Sequence, residues 1–197
     1  MNNIQTRTVA ILAALVALMA VTRFNHFGSA VSLPDASYAV FFLGGLYLAS
    51  SARMAVAAFA VLILEAGWID YYATSVQGVS DWCMSPAYWF LIPTYAGLWL
   101  AGRLVSRNAT GGRITAEKSL LGLGLTAWAA STFAFVFSNA TFYLFSGRYA
   151  EMSAAEYASR VAQYYVSYVS MAMLYIACAV AVHMAVDIIG RQRVRTH

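Results

Sequence analysis

Residues 119–145 read SLLGLGLTAWAASTFAFVFSNATFYLF, 27 consecutive residues without a charged side chain. A bilayer hydrocarbon core about 30 Å thick is crossed by roughly 17–25 apolar residues in a helix, so this run alone points to the membrane class. Five further charge-poor runs lie outward from it, at about residues 8–22, 36–52, 54–69, 86–102 and 161–186, with Arg, Asp, Glu and Pro gathered at the joints. The chain of 197 residues is 61% apolar and only 10% charged, which is the balance of a polytopic membrane protein rather than of a soluble domain. The expected fold is therefore all-α, one integral membrane domain over residues 1–197 with six transmembrane helices. Several of the runs are short, so that flanking arginines snorkel or the bilayer thins around them.

Arg7 ahead of an apolar core resembles a secretory leader, but no small-x-small cleavage pattern follows before Arg23, and the run is expected to remain as the first helix. Nine of the twelve basic residues fall in the N-terminal segment, at Arg53, in the 103–118 loop and in the C-terminal segment. By the positive-inside rule both termini are cytoplasmic. The net charge of +4 is thereby accounted for, and without basic repeats or interleaved aromatics it gives no sign of a nucleic-acid partner. Nor is there an ATP site: the nearest approach to a phosphate loop, Gly112 to Ser119, lacks the second glycine and its spacing.

Small residues recur at four-residue spacing as Ala10 and Ala14, Ala13 and Ala17, Gly45 and Ala49, and Ala130 and Ala134. Such pairs let helices pack closely in lipid, and on the first helix they also suit a partner-docking surface. Ser85 is placed to cap the fourth helix with Pro86 at its first position, and Pro93 is expected to kink that helix and widen a cavity.

Three joints face outward in this topology, at residues 23–35, 70–85 and 146–160. They hold Arg23, Asn25, His26 and Phe27; Asp70, Tyr71, Tyr72, Gln77, Asp81, Trp82, Cys83 and Met84, followed by Tyr88; and Arg148, Tyr149, Glu151 and Glu156. Tyr157, Tyr164, Tyr168 and Tyr175 follow at spacings that keep them along one face of the last helix, where either interhelical packing or ligand contact would use them. Glu65 lies well inside a span, an expensive position for an acid, and reads either as functional or as a hydrogen-bonded packing residue. Asp70 is expected at a helix end.

Cys83 and Cys178 are expected at opposite sides of the membrane, too far apart for a disulfide. With Asp81 close by and no basic neighbour in sequence, Cys83 is poorly placed to be a pre-activated nucleophile. A soft metal ion displaces the thiol proton itself, so ligation is favoured over catalysis, beside the reading of Cys83 as a passive loop thiol. With His26 as the only nearby histidine, the set is too sparse for a structural zinc site.

The Trp82-Cys83-Met84-Ser85-Pro86 entrance to the fourth helix, with the length, the six runs and the termini on one side, resembles the BtuM family of cobalamin transporters, relatives of the substrate-binding S-components of energy-coupling factor (ECF) transporters. The resemblance implies an S-component-like fold in the bacterial inner membrane and cobalamin as the bound and transported substrate. It implies Cys83 as axial ligand to the corrinoid cobalt and as the residue tied to decyanation of cyanocobalamin. Asp70, Tyr88 and His26 become pocket residues by the same likeness, with Trp82, Tyr72, Gln77 and Asn25 supplying aromatic and amide surroundings. Ala10, Ala14 and Ala17 resemble the alanines through which S-components dock an ECF-type energising module; uptake without any such module is the other expectation. Two further readings stay open: a membrane thiol enzyme using Cys83 and His26 on a lipid or quinone, and a small scaffold or channel.

Overall fold

A computed structural model describes residues 3–26, 33–78, 84–108 and 117–195. The described residues form six α-helices: α1 (Asn3–His26), α2 (Ser37–Leu48), α3 (Ala52–Ser75), α4 (Leu91–Asn108), α5 (Glu117–Phe145) and α6 (Ala154–Arg195), with a 3-10 turn at Pro86–Phe90 leading into α4. Four stretches are long and apolar enough to cross a membrane, Gln5–Arg23, Ala52–Ser75, Leu120–Phe145 and Ala154–Gly190, with mean hydropathies of 1.6 to 2.1. Leu64 and Val56 on α3, Leu121 on α5 and Val166 on α6 are each at least 66% exposed. Apolar side chains turned outward on every long helix are what a lipid-solvated surface requires, and the architecture is that of a polytopic membrane protein.

The expected span at 36–52 is a helix of only 12 residues, and ten of them are buried. Its sequence, SYAVFFLGGLYL, is apolar all round, and such a helix sits inside a bundle instead of on its surface. Neighbours surround it: α1, α3, α4, α5 and α6 all pack on α2. The closest approach is to α4. A Cβ on Gly45 would overlap the Trp99 carbonyl, and one on Gly102 would overlap the Phe42 carbonyl, so the two backbones meet through glycine. Phe41 and Phe42, both fully buried, fill the space beside this contact, with Phe41 stacked on Tyr95 at 4.2 Å between ring centres.

The small-residue pairs divide into two kinds. Ala130 and Ala134 are buried in the core of the bundle, whereas Ala10, Ala13, Ala14 and Ala17 on α1 are exposed. The entrance to α4 also differs from expectation. Ser85 precedes the 3-10 turn without a side-chain cap, and its carbonyl accepts from Tyr88 N–H at 2.8 Å. Pro93 consequently falls at the third residue of α4, near its start and not in mid-helix. The tighter turn ahead of it accommodates a ring that would clash with the carbonyl four residues back in a continuous α-helix.

The glycine contact gives a measurable contrast. Gly102→Ala should cost about 1–3 kcal/mol by overpacking and lower the thermal midpoint in detergent. Gly122→Ala, on α5 with open space around the position, should leave it unchanged or raise it slightly.

Candidate functional site

Arg23 lies near the end of α1 and is 6% exposed. A guanidinium at that depth must have its donors matched by acceptors, since an unpaired buried charge is strongly unfavourable. Asp70 supplies the main match: its Oδ1 accepts from Arg23 Nε at 2.7 Å and its Oδ2 from Nη2 at 2.5 Å. This fork-to-fork pairing is the strong geometry for arginine and carboxylate. The remaining head nitrogen, Nη1, donates to Ser37 Oγ at 2.7 Å and to Tyr95 Oη at 3.2 Å, with Asp35 at 3.5 Å. Asp35 in turn accepts from the Ser37 hydroxyl at 2.6 Å and from the Ser37 backbone N–H at 2.9 Å, tying the start of α2 into the same cluster. Tyr88 closes it by donating to Asp70 Oδ2 at 2.7 Å.

Asp70 therefore does not end its helix. The ion pair satisfies its charge, and α3 continues for five residues beyond it, to Ser75. Arg23 is likewise part of α1 and not of the joint that follows.

The cluster forms one wall of a cavity of about 510 Å³, within the range of small-molecule pockets. Arg23, Asp35, Asp70, Tyr88 and Tyr95 face it on one side, and Ser138, Asn139, Thr141, Tyr149, Tyr157, Tyr164 and Tyr168 on the other. Tyr38 links the two sides through its hydroxyl, 3.2 Å from Ser138 Oγ. Tyr149, Tyr157 and Tyr143 pack ring to ring, the first two with centres 4.7 Å apart. The cavity is thus apolar in its ring faces and rich in hydroxyl and amide groups at its edges. Its charges are one guanidinium already engaged by protein acceptors and two carboxylates, so an anionic group finds no free cation among the described lining residues.

Of the residues picked out from sequence, Asp70 and Tyr88 line the cavity and are bonded to each other. From the tyrosine stripe, Tyr157, Tyr164 and Tyr168 line it too, while Tyr175 points its hydroxyl to the Pro34 carbonyl at 2.9 Å. Tyr72 is half-buried on α3 and Gln77 is exposed beyond its end; neither borders the cavity. Asn25 and His26 belong to the last turn of α1, with their side chains outside the described set, and Trp82 and Cys83 lie outside the described residues altogether. Met84 and Ser85, next in the chain after Cys83, lead directly into the lining residues Ala87 and Tyr88. Glu65 does not line the cavity, and its Oε2 is buried with no hydrogen-bond partner among the described residues.

Reading by sequence missed Asp35, Tyr38, Tyr95, Ser138, Asn139 and Thr141. The signal for the last three was the grouping of polar residues near the end of an otherwise apolar run. Among the described residues, no three His, Cys, Asp or Glu side chains converge as a metal site. No protein-family model matches the chain, and no curated protein matches it.

Three side chains of the cluster, Asp70 and Asp35 beside Arg23 and Tyr88 bonded to Asp70, should rank by burial and geometry. Asp70→Ala removes both arms of the fork and should cost about 3–5 kcal/mol, the range for leaving a buried charge unpaired. Asp35→Ala, at a more exposed site, and Tyr88→Phe should each cost about 1 kcal/mol. Unfolding in mixed detergent micelles measures the order.

Proposed function

We propose that the protein binds cobalamin at the tyrosine-lined cavity, which admits an edge of the ring system and not the whole vitamin, and carries it across the bacterial inner membrane. The observation that carries this reading is the lining itself: aromatic faces and hydroxyl and amide edges at the Arg23 end of a membrane bundle, bordered by the chain that follows Cys83. A corrinoid presents complementary chemistry, a broad apolar ring edged with amide groups that both donate and accept. Two carboxylates against one engaged guanidinium favour such a donor-rich ligand over a small anion.

Cobalt in a corrin arrives with four equatorial nitrogens, so a protein with no multi-residue metal site among its described residues needs to contribute only one axial ligand. Cys83 fills that role in the family the sequence resembles. Written as ligand exchange, its sulfur takes the axial position and its proton leaves with the displaced cyanide as hydrogen cyanide, with no change in oxidation state. Docking of an ECF-type energising module on the exposed alanines Ala10, Ala14 and Ala17 belongs to the same reading, as does uptake without one.

Purification with cyanocobalamin tests it. Bound corrinoid with an altered visible spectrum is expected, and Cys83→Ala should return the spectrum to that of the free vitamin. Tyr164→Phe, which removes one cavity hydroxyl, should weaken binding by roughly three- to tenfold, read by equilibrium titration. A protein that emerges colourless from saturating vitamin is incompatible with the assignment.

A further inference from the structure

A second and larger recess, about 810 Å³, lies between α1 and α6 toward the opposite end of the bundle. Ala10, Ala14 and Leu18 form its α1 wall, Cys178, Ala179 and Val182 its α6 wall, and Leu43 and Tyr47 of α2 its floor. Both walls belong to membrane-spanning stretches, so what surrounds the groove is bilayer. From Arg7 to Leu18 it follows 11 helical steps, about 16 Å at 1.5 Å per residue. That is about half of a 30 Å hydrocarbon core, the depth of one leaflet.

Among the described lining residues the charged groups lie at one end only, and Tyr175 toward the other has its hydroxyl on the Pro34 carbonyl. Arg7 is exposed at the mouth. The Tyr47 hydroxyl beside it is buried and has no hydrogen-bond partner among the described residues. His183 stacks on the Tyr47 ring at 5.3 Å, and its Nε2 lies 3.5 Å from Asp187, the carboxylate that lines this end. The mouth therefore offers a guanidinium and an unmatched hydroxyl on the α1 and α2 side, with the Asp187 carboxylate on the α6 side beside His183, and an apolar trough runs from them toward mid-membrane. A transverse ligand or a small solute leaves that shape unfilled.

We infer that this groove binds one anionic phospholipid of the leaflet on the side of the chain termini. Its phosphate accepts from Arg7 and the Tyr47 hydroxyl, and one acyl chain lies along Ala10, Ala14 and Ala179. The small side chains are what keep the trough open. Such a lipid covers Ala10 and Ala14, so it competes with any protein that uses those alanines.

The test uses the full chain in detergent, titrated with phosphatidylglycerol or with phosphatidylcholine of the same acyl length and followed by native mass spectrometry. One phosphatidylglycerol is expected to be retained, at least fivefold more tightly than phosphatidylcholine. Arg7→Gln should remove about fivefold of that preference, the factor one basic residue confers near an anionic surface. Ala14→Leu, at an exposed position, should fill the trough and abolish retention of both lipids at an unchanged thermal midpoint. Equal retention of the two lipids, retention that survives Ala14→Leu, or a dimer that Ala14→Leu dissociates would each overturn the inference. No corrinoid enters the measurement, so its result is independent of the cavity at the other end.

Discussion

The bidentate pairing of Arg23 with Asp70 is the constraint on which the cavity end of this bundle depends. Through it and its immediate partners α1, α2, α3, the turn before α4 and α4 itself are all held at one point. In lipid there is little hydrophobic force to draw helices together, and packing and interhelical hydrogen bonds decide their arrangement. A guanidinium with most of its donors engaged, and a carboxylate accepting from three donors on two residues, form a junction with few alternative geometries. The same saturation keeps this charge from serving a ligand directly. Arg23 sets where Tyr88, Tyr95 and Asp70 stand, and the hydroxyls and amides around them make the surface that a ligand meets.

Much of the helical content was legible because charge-poor runs and helices coincide in lipid. The run at 119–145 corresponds to α5 at Glu117–Phe145. Reading failed where tertiary pairing changes what a charge means. Counting Arg23 and Asp70 as joint residues was reasonable for unpaired ions, and only their mutual contact lets both helices continue past them. The reverse error occurred at 36–52, where apolarity was read as span length although the helix is a short core element walled in by its neighbours. Hydropathy alone does not separate burial in protein from burial in lipid.

The two alanine sets make the same point at finer scale. Ala130 and Ala134 disappear into the bundle while Ala10 and Ala14 remain open, though their spacing is identical. The difference lies in the neighbours: α5 is packed between α4 and α6, and α1 leaves a groove beside α6. For the cavity, the tyrosine stripe on α6 was legible by periodicity down to Tyr168. One further repeat, at Tyr175, falls below the cavity and serves the Pro34 carbonyl instead.

The shortness of α2 also bears on how the bundle fills the depth of the membrane. Twelve residues rise at most about 18 Å along the membrane normal, and the chain beyond them turns at Ser50, Ser51 and Arg53 toward the opposite surface. Against a hydrocarbon thickness of about 30 Å, α2 by its own length leaves about 12 Å unfilled, and the longer α1 and α3 bring Arg23 and Asp70 to meet its start at Ser37. The polar junction takes up the depth that α2 does not fill, and a backbone donor at the start of this short buried helix is matched there by Asp35 instead of by water.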